Sequence, residues 1–188
     1  MAGIIHNITV QAYSGGTSYE RYDIVENSDI YYVSAVDENQ GNAPATTSNS
    51  FWKRFGDIGF EISDVWVPTH SVSTNNSPRT VSRQLSEGII QRESDGINSL
   101  KQNIEVSFVG RKPKETQSLL AFFEFMGGKY AFTYTLPEPY NVAKKFVCSN
   151  WGMSYSSFRK DAISAIFRQS FNPIVSAGLE GEGQQGRV

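Results

Sequence analysis

The stretch Leu85-Ser86-Glu87-Gly88-Ile89-Ile90-Gln91-Arg92 opens a succession of patterns that runs to Phe171 and decides the fold. Downstream of it, Ile104, Val106 and Phe108 alternate with Glu105 and Ser107, which sets apolar side chains on one face of a strand and polar ones on the other. Arg111-Lys112-Pro113 ends that strand, and Pro113 suits the first turn of a helix, where its missing N–H has no intrahelical partner to lose. A helix is expected over residues 114–126, about 20 Å long, and Gly127-Gly128 supplies a left-handed closure. Tyr130 to Thr135 alternates aromatic with small residues and reads as a strand. The prolines of Leu136-Pro137-Glu138-Pro139-Tyr140 lack donors, so that segment is a loop or hairpin tip. Phe146 to Trp151 returns as a strand, and Ile163, Ala165 and Phe167 mark another that ends before Asn172-Pro173. Between Ile90 and Ile104, Glu93-Ser94-Asp95-Gly96-Ile97-Asn98-Ser99 reads as the tip of a long hairpin. The expected fold is mainly β: a sandwich or barrel with one packed α-helix, plus a small N-terminal β module.

Within the helix, Leu119, Phe122, Phe123 and Met126 fall on one face, and Leu120 and Phe125 flank it, leaving mainly Ala121 and Glu124 opposite. So wide an apolar stripe is more than one small sheet readily covers. Either a deep groove between sheet and loops covers it, or a neighbouring copy of the chain does. On the second reading Phe125, with Leu120, is the candidate oligomer interface.

The chain of 188 residues divides into an aromatic module over 1–58, the larger module over 59–175, and a Gly/Gln/Glu-rich tail over 176–188 expected to be mobile or ordered by a partner. Lys+Arg number 17 against 19 Asp+Glu, so no overall basic excess exists to hold nucleic acid. One cysteine excludes an internal disulfide framework, and Cys148, between Val147 and Ser149, reads as a small buried side chain. No apolar run has the length to span a bilayer, and the N-terminus lacks a signal pattern, so a soluble protein folded in a cytoplasm is expected. Without such a signal, Asn7-Ile8-Thr9 is a chance match to a glycosylation acceptor.

No catalytic constellation stands out. His6 and His70 have no Ser or Cys nucleophile motif beside them, and phosphate-cradling Gly-rich loops are absent. Asp57, Glu61 and Asp64 cluster in sequence, as a cation site or an acid/base pair would need, but near-strand spacing need not give them a common face; a solvated connector is the favoured reading. No enzyme, no cofactor and no metal site are expected.

Trp66-Val67-Pro68, Gly88-Ile89-Ile90-Gln91-Arg92, the strand Ile104 to Phe108, Leu119 to Gly128, Phe132 to Pro139 and Phe146-Val147-Cys148-Ser149-Asn150-Trp151 follow one another in an order and spacing that resembles the minor tail protein M family of lambda-like, long-tailed phages. The resemblance spans about Phe60 to Phe171. It departs at Ile89-Ile90, where the family tends to have an aromatic, and in lacking the family's Phe-Gly-Asp-Gly before that turn. It implies a tail-tube-like β-sandwich, a homo-oligomer of six copies closing a distal tail ring, and partners in the tail-tube and tail-tip hub proteins. It also implies a channel through which DNA passes without sequence-specific binding, a place in the virion, and no membrane partner. In such a ring the Asp95-Gly96 turn would reach a neighbour or the next layer, unless it is an ordinary solvent hairpin. DNA passage would favour few exposed Lys or Arg on the channel face.

Tyr22-Asp23-Ile24-Val25, Ile30-Tyr31-Tyr32-Val33-Ser34, Asn42-Ala43-Pro44 and Phe51-Trp52-Lys53-Arg54 resemble the small chitin-binding type modules of glycoside hydrolases. Those modules place exposed aromatics after the Tyr strand, where this chain has Ala35-Val36-Asp37-Glu38-Asn39-Gln40. Tyr31, Tyr32 and Trp52 are therefore open to three roles: the core of a small module, a glycan-stacking surface on an adsorption protein, or a docking surface for neighbouring tail proteins.

Overall fold

The computed structural model describes residues 4–5, 8–57, 59–157 and 160–171. Its strands are β1 (Ile4–Ile5), β2 (Ile8–Thr9), β3 (Gln11–Ala12), β4 (Ile24–Asn27), β5 (Ile30–Ser34), β6 (Trp52–Arg54), β7 (Thr69–Pro78), β8 (Thr80–Gln84), β9 (Ile90–Ser94), β10 (Leu100–Arg111), β11 (Phe132–Thr135), β12 (Ala143–Ser157) and β13 (Lys160–Gln169), with one α-helix, α1 (Pro113–Met126). The protein is mainly β. A five-stranded antiparallel sheet, ordered β11-β12-β13-β10-β7, carries the helix, and a four-stranded sheet, β3-β4-β5-β6, forms the N-terminal part.

The alternation in β10 produces the expected division. Ile104, Val106 and Phe108 are buried toward the helix, while Glu105 and Val109 stand exposed on the other face. Pro113 takes the first helical position, Glu115 in the first turn pairs with Arg111 at 2.9 Å, and a negative charge there also suits the positive end of the helix. At the far end Gly127 adopts φ +50°, and its N–H donates to the Phe123 carbonyl at 2.9 Å.

The wide apolar stripe of α1 is covered by the chain itself. Phe123 packs on the sheet against Phe108, Trp151 and Phe167. Phe122 meets Phe55, Phe60, Trp66 and Phe132, so the connector after β6 wraps the helix. Phe125 lies against Tyr31 and Phe55 on one side and stacks on Tyr130 on the other. Leu120 is 5% exposed, and Ala121, expected on the outer side, is fully buried. Of the two covers expected for the stripe, the one within the chain is present: the N-terminal sheet and the connector bury Leu120 and leave Phe125 half-buried. One continuous core joins Val10, Ile24, Val33 and Phe55 to the helix and the large sheet.

Polar contacts fix the same seam. Arg21 donates to the carbonyls of Asp64 and Val65, and Lys114 on α1 pairs with Glu20 and Asp23 at 2.9 Å. Burial pulls the Lys114 ammonium down, but those carboxylates outweigh it and hold its pKa above the usual lysine value.

A second correction concerns the hairpin. β9 does not lead to a tip at Glu93–Ser99; it pairs back on β8, from Thr80↔Ser94 to Gln84↔Ile90. Together with the β7–β10 pairing, this makes one long hairpin whose tip is residues 85–89, where the Leu85 N–H donates to the Ile89 carbonyl at 2.8 Å. Glu87 (φ +67°) and Gly88 (φ +82°) make the reversal in left-handed geometry. The Asp95-Gly96 turn lies at the base of this arm. There Arg79 grips Asp95 at 2.5 Å, its N–H donates to Ser99, and its carbonyl accepts from Asp95 N–H, so residues 96–98 loop out of the ladder.

Candidate functional site

Two surfaces of the large sheet remain available for recognition. The first is the sheet face turned away from α1. The register sets Asn103 opposite Arg168, Ser107 opposite Ser164, and Gly152 opposite Ser164 on the other side. Glu105 and Asn150 flank Ile166 in the same way. The result is a mainly small and polar face, interrupted by Val109, Val147 and Ile166, with its cations gathered at the end nearest the arm: Lys101, Lys145 and Arg168. The outer edge of β12 beyond Phe146 has no strand partner among the described residues, because β11 pairs only with Ala143–Phe146. On the opposite side of the sheet β7 is likewise an edge. Unpaired strand edges are templates for further pairing.

The second surface is the arm itself. Every described side chain of β8 and β9 is exposed. Val81, Leu85, Ile89 and Ile90 are each more than 40% exposed, and Ile97 at the base is fully so. An isolated two-stranded ribbon is marginal in water, so apolar groups at its tip mark a segment suited to a partner.

The aromatic residues of the N-terminal sheet offer no stacking platform. Trp52 is fully buried, its Nε1–H donates to the Asn42 carbonyl at 2.7 Å, and it packs edge-on against Tyr13 and Tyr19. Tyr32 is 2% exposed. Burial lifts its phenol above the usual value, with the nearby Arg54 opposing and Asp57 adding to the rise. Tyr31 is half-buried against Phe125. A domain this small uses its largest rings as core, and of the three roles open to Tyr31, Tyr32 and Trp52 the burial of Trp52 and Tyr32 fits the first.

The acidic trio is dispersed among structural partners. Glu61 accepts from the Thr135 N–H at 2.9 Å and hydroxyl at 3.1 Å, tying down the edge strand β11. Asp64 pairs with Lys53 at 2.6 Å. Asp57 is pushed up by burial, but hydrogen bonds from Ser48 and the Gly59 N–H, with Arg54 nearby, leave its carboxyl below the ordinary range. Among the described residues no group of three His, Cys, Asp or Glu could hold a metal ion. Among the described residues no helix is long and apolar enough to cross a membrane. Cys148 is buried, and desolvation pushes its thiol up to about 12. His6, Asn7 and the 176–188 segment lie outside the described residues, and His70 is placed only by its backbone in β7.

Residues 65–171, from the end of the connector to the end of the last strand, match the family described as phage minor tail protein. The chain belongs to that family. The matched span carries α1, the five-stranded sheet and the arm, so the minor tail family fold is the large sheet with its helix, and the protein is a minor structural component of a phage tail. Among solved structures, the tail of an empty GTA particle, computed with helical refinement and C6 symmetry, aligns over 72% of this chain and 92% of that chain, at 12% identity and a TM-score of 0.44. No curated protein matches the chain. The N-terminal sheet lies outside the family match, and its chitin-binding-like resemblance finds no support.

Sequence reasoning missed the open polar face because the residues that make it are scattered over several strands. Its signal was present in the small polar partners of each alternating strand, such as Ser107 and Ser164.

Proposed function

We propose that this minor tail protein forms a distal tail ring of six copies that joins the tail tube to the tip hub and leaves a channel for DNA. The observation that supports it best is the division of the large sheet: α1, itself covered by the N-terminal sheet, covers one face, while the other stays open and mainly polar. A ring places that open face toward the channel and the helix outside. The free edges of β7 and β12 meet neighbouring copies, which closes the sheets and removes exposed edges. Six copies is the number that the resemblance to the lambda-like family implies. The arm, with the Asp95-Gly96 turn at its base, reaches the adjoining ring layer or hub through Leu85, Ile89 and Ile90.

Electron microscopy of the purified chain, alone and mixed with the tail-tube and hub proteins of the same phage, tests this reading. Closed rings with a central channel are expected. A chain that stays monomeric at every concentration and with every tail partner would sink it.

A further inference from the structure

The open face is not uniform. Toward one end it presents Ser107, Gly152, Ser154, Ala162 and Ser164, which carry no charge. Toward the arm it presents Lys101 on β10, Arg168 opposite Asn103, and Lys145 on β12, beside the Ser170 N–H that donates to its carbonyl. Between the arm base and this end of the sheet lies a hollow of about 660 Å³, lined among others by Arg79, Asn98, Lys101, Asn103, Arg168 and Ser170. Arg79 is neutralised there by Asp95. Lys101 and Arg168 have no ion-pair partner among the described residues: Asp95 in the hollow pairs with Arg79, and Glu105 on the face forms no salt bridge with either. Unpaired cations beside amide and hydroxyl donors suit phosphate oxygens, which accept from Arg, Lys, Asn and Ser without regard to base sequence.

We propose that this hollow is a contact point for the phosphate backbone of duplex DNA, repeated once per copy as a cationic band on a channel wall whose other charge, among the described residues, is Glu105. The inference rests on the ring reading for the placement of the face, and it departs from the expectation of a channel wall poor in Lys and Arg. Each contact is weak, and repetition around a ring makes the band effective by raising the local concentration of the next site. The chain as a whole stays at net charge -2, so attraction is confined to the band and the rest of the wall lets DNA slide. An acidic protein segment is the competing occupant, and the test separates the two.

The experiment titrates the full chain into a short fluorescein-labelled duplex of arbitrary sequence across a salt series, with polyglutamate as the acidic-protein probe. Wild type is expected to bind the duplex with an affinity that falls as salt rises. Lys101→Gln with Arg168→Gln should weaken binding at low salt about tenfold and flatten the slope of log affinity against log salt by about 2. Arg168→Lys should retain most of the binding. Duplex binding that is absent, or unchanged in the double variant, overturns the proposal. Tighter binding of polyglutamate than of duplex overturns it in favour of a protein occupant. Electron microscopy of the same preparations keeps the two readings apart, because rings that form without patch-dependent DNA binding defeat only the phosphate contact.

Discussion

Phe122 has the most aromatic neighbours of any residue on α1, with ring centroids of Phe60, Trp66, Phe132 and Phe55 at 5.0, 5.2, 5.5 and 5.5 Å. It joins three segments far apart in sequence, so Phe122→Ala leaves a cavity that no single element can collapse into. The expected cost is about 3–5 kcal/mol, read as a lower urea midpoint at unchanged slope. Phe125 is only partly buried, so Phe125→Ala should cost about half as much. That loss should be the same at low and high protein concentration, because its partners Tyr31, Phe55 and Tyr130 belong to the same chain. A loss that shrinks as concentration falls would return Phe125 to an intersubunit contact. Cys148 offers a third measurement. Its folded pKa of about 12 lies above the 9.0 of a free thiol, so the group is neutral in both states well below 9 and costs nothing there. Between 9 and 12 the unfolded thiol ionises while the folded one does not, and stability falls as pH rises through that window. Alkylation at pH 9 should therefore proceed only as fast as the protein opens, which urea-dependent labelling measures.

At the scale of elements, the arm and the helix differ in how much local sequence reveals. α1 was legible because Pro113, the apolar spacing from Leu119 to Met126 and Gly127 each act within a few residues. The strands from Ile104 to Phe108 and from Ile163 to Phe167 were legible for the same reason: one face is buried, so the alternation is strict. The arm had no such constraint. Both faces of β8 and β9 are exposed, so nothing in their pattern fixes register, and Asp95-Gly96, a strong turn signal, drew the tip to the wrong end of the strand. Its ladder is held instead by the left-handed pair Glu87-Gly88 and the clamp of Arg79 on Asp95. That clamp is half-exposed and contributes at most about 1 kcal/mol. Replacing residues 80–94 with a two-residue Asn-Gly turn should leave the thermal midpoint within a few degrees of wild type, since the arm buries almost nothing in the isolated chain. Ring stacking or hub binding, followed by co-sedimentation with tail tubes, should be lost. An arm deletion that assembles normally would remove the arm from the proposed interface.

At the scale of the whole molecule, the N-terminal sheet behaves as the second cover of α1, a relation that no local periodicity encodes. Tyr31 and Phe55 meet Phe125 across about ninety and seventy residues of sequence, and Arg21 and Lys114 fasten the same seam. We propose that residues 1–58 and 59–175 fold as one cooperative unit, although the family match begins only at residue 65. A chain starting at residue 59 loses the covers supplied by Val10, Ile24, Val33 and Phe55 and exposes much of the helix surface around Leu120, Ala121 and Phe125. An apolar patch of that kind on an isolated domain drives association. The truncated chain is expected to aggregate or to bind a hydrophobic dye with no cooperative melt, whereas the full chain melts in a single transition by both near-UV circular dichroism and tryptophan fluorescence. Those probes should coincide because Trp52 reports the N-terminal sheet and Trp66 the helix seam. A truncated protein that stays monomeric and melts cooperatively, or a full chain whose Trp52 region unfolds first, would divide the molecule into independent modules.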